Sequence, residues 1–288
     1  MKRLEWTEIH KHEWFESWTE FVEAASERCD GSVVGRGSVN HRPTQDWDFS
    51  VGFKGALRLA ARGWPEGLLK VRELFGACER SMLTSVRGRR LEYDVTGDWF
   101  DVGRVAAGDP ECGVNVRRVI SPRPVVRFVV TGGASGTIRA ESIYRRGAAV
   151  VTAVDVLESQ GVRCEVVLGF CNSCRNSNAH NSHGVMLKEA GDAIDMDRLA
   201  FALCHPATLR RLSFAVREGL PMEWRRKFAF GVGGSNYGVS ETYKVDLAGN
   251  DDVVILPMIR SGDVGWESDA AMLKWLKATV SAWVTFDE

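Results

Sequence analysis

Charge of one sign is missing from this chain: 37 Lys and Arg stand against 38 Asp and Glu, giving a net charge of −1 and a pI near 6.6. No global field steers such a molecule toward DNA, RNA or anionic lipid, so a nucleic-acid site would have to be a local patch. Long hydrophobic runs are missing too. The N-terminal stretch MKRLEWTEIHKHEWFE reaches charged residues too soon for the apolar core of a signal peptide, and nothing approaches the roughly 18–20 apolar residues of a membrane span. The expected location is the cytoplasm, with no membrane partner. Internal repeats and low-complexity linkers are absent. The seven cysteines form an odd set, Cys29, Cys78, Cys112, Cys164, Cys171, Cys174 and Cys204, and without a secretory signal reduced thiols are the default.

Standard catalytic motifs are also lacking. There is no Gly-x-Ser-x-Gly elbow, and Gly231-Val232-Gly233-Gly234-Ser235 is not followed by the Lys-Ser/Thr of a phosphate loop, which makes it a surface loop. His10 and His12 lie in a polar stretch, and His205 precedes Pro206 at a helix break. None of the three calls for a catalytic role.

What is present fits a globular protein: 44% hydrophobic and 26% charged residues over 288 positions, enough for one large domain or two smaller ones. Trp14, Trp18, Phe21, Val22 and Ala25 recur at helical spacing and predict a helix over 12–27. A second run, Phe53 to Ala61, ends at Gly63-Trp64-Pro65-Glu66-Gly67, after which a third helix is expected at 68–79. Residues 91–95 and 114–118 read as short strands, and Pro122 with Pro124 marks the best boundary. On this reading residues 1–120 form a mainly helical N-terminal region and 121–288 an α/β domain.

The second half alternates. Val125–Val130 is a buried-type strand, Glu141–Glu158 a largely apolar helix and Arg163–Phe170 a second strand, the signature of a right-handed parallel βαβ unit. A polar turn over 171–183 leads to a strand at 184–190 that returns antiparallel at an edge. A long helix from Asp195 to Glu218, kinked near Pro206, precedes the strand Asp252–Met258 and the helix Ser268–Trp283. The fold class is therefore α/β, with a mostly parallel sheet, flanking helices and one antiparallel edge strand.

The segment Val125–Phe170 resembles the opening of a von Willebrand factor A-type domain, in which a central strand runs into a D-x-S-x-S loop, a helix and a second strand. Here the loop reads Gly133-Ala134-Ser135-Gly136-Thr137, with both hydroxyl positions kept and Gly133 in place of the leading Asp. The whole chain is similar to an uncharacterised family of phage-encoded proteins through Gly63-Trp64-Pro65-Glu66-Gly67, Gly108-Asp109-Pro110-Glu111-Cys112 and His205-Pro206-Ala207-Thr208-Leu209-Arg210-Arg211. The first resemblance implies a Mg²⁺ loop completed by an acid after a later strand, here no nearer than Asp263. Gly133 supplies no charge, so the loop is read as degenerate, with Ser135 and Thr137 capping the following helix. The second implies a viral origin.

Two local patterns carry chemistry of their own. Cys171-x2-Cys174-x5-His180-x2-His183 offers two thiolates and two imidazoles, the ligand set of a structural Zn²⁺ clip; the alternative is a solvated hairpin tip. Arg225-Arg226-Lys227 beside Trp224, with Arg87-Gly88-Arg89-Arg90, Arg145-Arg146 and Arg210-Arg211, offers phosphate contacts and a stacking ring; the alternative is solvated helix ends. The leading expectation is a non-enzymatic adaptor that binds a host or viral protein through a surface including Ser135, Thr137 and Asp263, with no cofactor beyond that structural zinc. A nucleic-acid-binding protein using Trp224, Arg225, Arg226 and Lys227 comes second, and an enzyme with a site scattered through the sequence third.

Overall fold

A computed structural model of the protein describes residues 9–27, 37–82, 90–117, 125–174, 178–228, 237–244 and 252–283. The first apolar stretch divides in two. His10–Phe15 is a strand (β1), and the helix α1 starts only at Trp18 and runs to Glu27. Ser17 explains the break: its Oγ accepts the amide of Glu20 at 3.2 Å, while Glu20 Oε2 accepts the amide of Glu16 at 2.7 Å, a reciprocal cap that fixes where the helix begins. Three helices follow, α2 (Gln45–Asp48), α3 (Gly52–Arg62) and α4 (Pro65–Met82). A small sheet comes next, made of β2 (Arg90–Asp94), β3 (Trp99–Phe100) and, after the short helix α5 (Val102–Ala106), β4 (Gly113–Arg117).

The expected βαβ unit is present as β5 (Val125–Thr131), α6 (Ala140–Ser159) and β6 (Arg163–Cys174). β7 (Ala179–Lys188) pairs antiparallel with β6, and both strands run well into the stretch expected as a polar turn. The expected long helix is broken, as Pro206 requires, into α7 (Met196–Cys204), a π-helical turn (Thr208–Ser213) and α8 (Phe214–Glu218). Then come α9 (Met222–Lys227), β8 (Val239–Glu241), β9 (Val253–Leu256) and α10 (Asp269–Val280).

The main sheet has the order β1-β7-β6-β5-β9, with β8 paired to β6 past the end of β5. β6, β5 and β9 are parallel, and β7 is reversed. β1 lies parallel to β7, so the antiparallel edge is two strands wide and its outermost member comes from the N-terminus. That strand pairs the row of backbone groups that β7 would otherwise leave open. The result is a mixed α/β fold with a mostly parallel central sheet, an antiparallel edge and a separate small antiparallel sheet.

Strand alternation gives the main sheet two unlike faces. Val126, Phe128, Val130, Leu168, Phe170 and Val185 point one way and join buried residues of α1, α3, α4, α6, α7, α8 and α10 in one hydrophobic core. The other face carries a smaller cluster of Val129, Val167, Cys171 and Tyr243. α6 is buried almost all round, and α7 crosses it so closely that a Cβ on Gly147 would stand 2.2 Å from the carbonyl oxygen of Leu203. Among the described residues no helix is long and apolar enough to cross a membrane.

The π-helical turn binds the first part of the chain to the rest. It turns two successive arginines inward. Arg211 Nε donates to Asp48 Oδ2 at 2.8 Å and its Nη1 to the Ser38 carbonyl, with both ionic side chains fully buried. Arg210 donates to the carbonyls of Asp46, Trp47 and Ile138. Neither is a phosphate contact or a solvated helix end.

Candidate functional site

At the carboxyl end of β5 the Gly133–Thr137 loop is zipped to the segment that follows β9. The amide of Ile259 donates to the Gly133 carbonyl at 3.3 Å and the amide of Ser135 to the Ile259 carbonyl at 2.9 Å. Ser240 of β8 donates to the Ala134 carbonyl at 3.2 Å, and its Cβ lies 3.4 Å from where a Cβ on Gly133 would stand. A side chain replacing Gly133 would thus start in contact with β8. Ser135 is half-buried and Thr137 exposed, and neither caps α6, whose N-cap is Arg139 without a side-chain bond. Asp263 is near in sequence to Ile259, but its Oδ2 accepts the amide of Arg260 at 2.6 Å and closes its own turn.

The Cys/His pattern falls on two strands, and alternation divides it. Cys171 and His180 stand on the less covered face of the sheet, whereas Cys174 and His183 point to the opposite face. His183 is buried against Phe170, with ring centroids 4.8 Å apart, and Cys174 packs beside Ala179, Leu220 and Phe228. The Cys171 thiol is pushed up to about 11, chiefly by burial and then by Glu241. The fold does not bring the four side chains together, and among the described residues no group of three or more His, Cys, Asp or Glu is placed to hold a metal.

The same alternation assembles a different group, one that spacing along the chain does not reveal. His12 Nδ1 lies 2.9 Å and His10 Nε2 3.3 Å from Ser182 Oγ, while His180 Nδ1 lies 3.3 Å from Glu241 Oε2. Burial, followed by a neighbouring imidazole in each case, holds His10 and His12 below their usual range, which favours the neutral imidazole. A serine next to a neutral imidazole has the makings of a nucleophile. Ser182 is nevertheless 4% exposed, in a strand paired on both sides, so its neighbouring amides are engaged in the sheet instead of forming an oxyanion hole.

The basic helix α9 keeps Trp224, Arg225, Arg226 and Lys227 together, but its ring is occupied. Trp224 stacks on Phe228 at 5.6 Å, and the Lys227 ammonium lies 4.7 Å over the Trp224 ring and 3.1 Å from Glu223. Arg225 is half-buried and donates to the Glu218 carbonyl at 3.1 Å, leaving Arg226 exposed. In the Arg145-Arg146 pair, Arg145 is tied to Asp269 at 3.1 Å and Arg146 is buried against the Pro257 carbonyl. Arg87 and Arg89, and the loop Gly231–Ser235, lie outside the described residues.

The small sheet is the surface that sequence reasoning passed over. Half of the large hydrophobic side chains left exposed among the described residues fall between Tyr93 and Val105, led by Val102 at 81%, Phe100 at 55% and Trp99 at 47%. Tyr93 and Trp99 flank Val114 across the three strands, and Phe100 opposes Gly113 on the other face. Between Tyr93 and Glu111 the segment carries five acids, Asp94, Asp98, Asp101, Asp109 and Glu111, and one base, Arg104, while Arg90 and Arg117 stand opposite each other at the far end of the sheet. That base is engaged: Arg104 lies 3.7 Å over the Tyr93 ring and 3.2 Å from Asp109. Asp101 accepts the amides of Gly103 and Arg104, and the Arg104 amide is the main cause holding its carboxyl below the usual range. The available signal was compositional: an acidic segment that retains Trp99, Phe100 and Val102.

These features define a mixed α/β protein with an appended apolar and acidic sheet. The chain belongs to the family described as "Domain of unknown function (DUF7192)", whose model matches residues 8–280, a span that includes both sheets. No curated protein and no solved structure matches it.

Proposed function

We propose that the protein is a non-enzymatic adaptor whose docking surface is the small sheet, and that its occupant is a basic, apolar segment of a partner protein. The concentration of exposed Tyr93, Trp99, Phe100, Val102 and Val105 on the two faces of one small sheet carries this reading, because gathered exposed apolar side chains mark interaction sites and aromatic residues anchor them. The acidic segment selects the partner's charge. It repels phosphate, which disfavours nucleic acid and anionic lipid at this surface and favours Lys and Arg beside apolar anchors. The strand order β7-β6-β5-β9 supports the likeness of the second half to an A-type domain, with the loop at Gly133 degenerate. The resemblance to phage-encoded proteins supports a host or viral partner in the cytoplasm.

The test uses fluorescent peptides of alternating Lys and Leu, with a Glu and Leu peptide and a single-stranded oligonucleotide as comparisons. The expected result is saturable binding of the basic peptide alone, weakened about tenfold or more by Trp99→Ser with Phe100→Ser, and unchanged by Ser135→Ala with Thr137→Ala. Equal binding of the acidic peptide, or sensitivity to Ser135 and Thr137 instead, sinks the proposal. Tight oligonucleotide binding lost on Arg226→Glu would favour the nucleic-acid reading.

A further inference from the structure

Three arginines are among the largest side chains fully buried in this fold, Arg146, Arg211 and Arg217. The first two are met by the protein: Arg146 by the Pro257 carbonyl, and Arg211 by Asp48 and the Ser38 carbonyl. Arg217, on α8, is 1% exposed, and none of its Nε, Nη1 and Nη2 finds a hydrogen-bond acceptor among the described residues. Burial pushes its pKa down to about 10, against weaker upward pulls from Cys171 and Tyr237, so the group stays charged at neutral pH. A buried cation without a counter-charge or acceptor is among the costliest arrangements a fold can keep.

Its surroundings are built from polar groups in the same condition. The guanidinium lies 6.0 Å from the Phe170 ring centroid and 5.8 Å from that of Phe214. Phe170 shares its face of β6 with Asn172, which stands directly opposite Asn181 of β7. Asn172 Nδ2 donates to the Tyr237 carbonyl at 2.8 Å, and Tyr237 stacks on Phe214 at 3.8 Å, which brings the amides and the guanidinium into one region between the strands and α8. Asn172 and Asn181 are almost fully buried, and the Oδ1 of each lacks a donor among the described residues. The adjacent carboxylate is taken: Glu218 accepts the Ser38 amide, the Ser38 hydroxyl and the Tyr237 hydroxyl. This region lies toward the carboxyl end of β6, the end at which open α/β sheets take ligands.

We propose that Arg217, with Asn172 and Asn181, holds the oxyanion group of a small ligand, a phosphate or a carboxylate. The guanidinium presents parallel N–H donors that match two oxygens of either group, and the amide oxygens accept from a hydroxyl on the ligand. The proposal is independent of the small sheet, which lies elsewhere in the chain.

Thermal unfolding of the full chain tests it, with inorganic phosphate, glycerol phosphate and acetate titrated against chloride at matched ionic strength. Wild type is expected to gain unfolding temperature saturably with at least one oxyanion. A response to both phosphates marks a phosphoryl group, a response to inorganic phosphate alone marks the free ion, and a response to acetate marks a carboxylate. Arg217→Met, which keeps the length and removes the charge, is expected to abolish the response and to unfold at or above the wild-type temperature in chloride. Asn181→Asp gives a second reading if that variant does not fold: a carboxylate placed in the same region supplies the missing counter-charge, raises the unfolding temperature in chloride and removes the oxyanion response. Identical behaviour of wild type in oxyanion and chloride, or a response that survives either substitution, overturns the assignment.

Discussion

His205 shows how far a fold displaces a side chain from its solution behaviour. It is 1% exposed, ringed by Trp64, Phe201 and Phe49, and its Nδ1 accepts the Ala207 amide at 3.1 Å. Burial pushes its pKa down to about 3, only partly opposed by Asp48. Below the ordinary value of 6.5 the unfolded imidazole therefore binds a proton that the folded one refuses. Its contribution to stability is complete above that value and is lost as pH falls toward 3, at about 1.4 kcal/mol per pH unit. His10 and His12, lowered first by burial, act in the same direction. Urea unfolding followed from neutral to mildly acid pH is expected to show steep destabilisation, with the slope reduced by about one proton in His205→Asn, whose Oδ1 can replace the Nδ1 acceptor. An unchanged slope in that variant would mean His205 is not the group responsible.

Elements were legible where their pattern is local. α3, α6 and α10 fall close to the positions their periodicity indicates, and β5 and β6 begin where apolar runs begin. The segment 12–27, whose periodicity indicates one helix, divides into a strand and a helix because Trp14 fits a helical stripe and a strand equally well, and Ser17 and Glu20 form the cap that separates the two. Close packing between elements leaves a testable mark at Gly147. A Cβ there meets the backbone of α7, which cannot yield as a flexible side chain would, so Gly147→Ala is expected to cost about 1–3 kcal/mol by forcing α6 and α7 apart. Gly136, in the Gly133–Thr137 loop, has nothing within 4 Å of such an atom, and Gly136→Ala is expected to stay within about 0.5 kcal/mol of wild type. Chemical denaturation of the two variants side by side makes the comparison, and equal effects would refute the close-packing argument.

On the scale of the molecule, the first 120 residues and the remainder share one core. β1 completes the sheet beside β7, and Phe21, Ala56 and Phe75 are buried in the same cluster as Phe128 and Leu168. Asp48 is the counter-charge of Arg211. A fragment of residues 121–288 would keep Arg211 while losing that partner, and breaking a buried pair in this way costs about 3–5 kcal/mol before the lost apolar packing is considered. The expected outcome is a fragment that fails to unfold cooperatively and binds a hydrophobic dye, measured by near-ultraviolet circular dichroism and dye fluorescence. A sharp, reversible transition would show instead that residues 121–288 form a self-sufficient domain.

Periodicity and turn chemistry were sufficient to read the α/β class, the parallel βαβ unit, the break at Pro206 and the absence of an apolar run long enough to span a membrane. All of these depend on residues close together in the chain, where the 3.6-residue and two-residue repeats are visible directly. The candidate sites were different in kind. Spacing grouped Cys171, Cys174, His180 and His183, yet a strand sends alternate side chains to opposite faces, so neighbours in sequence became strangers in space. The contacts that matter instead join His12 to Ser182, Asp48 to Arg211 and Ser38 to Glu218, pairs separated by 163 or more positions. No local pattern encodes such pairs, because each arises from long-range packing, and the isolation of Arg217 within the core is visible only once its neighbours are in place.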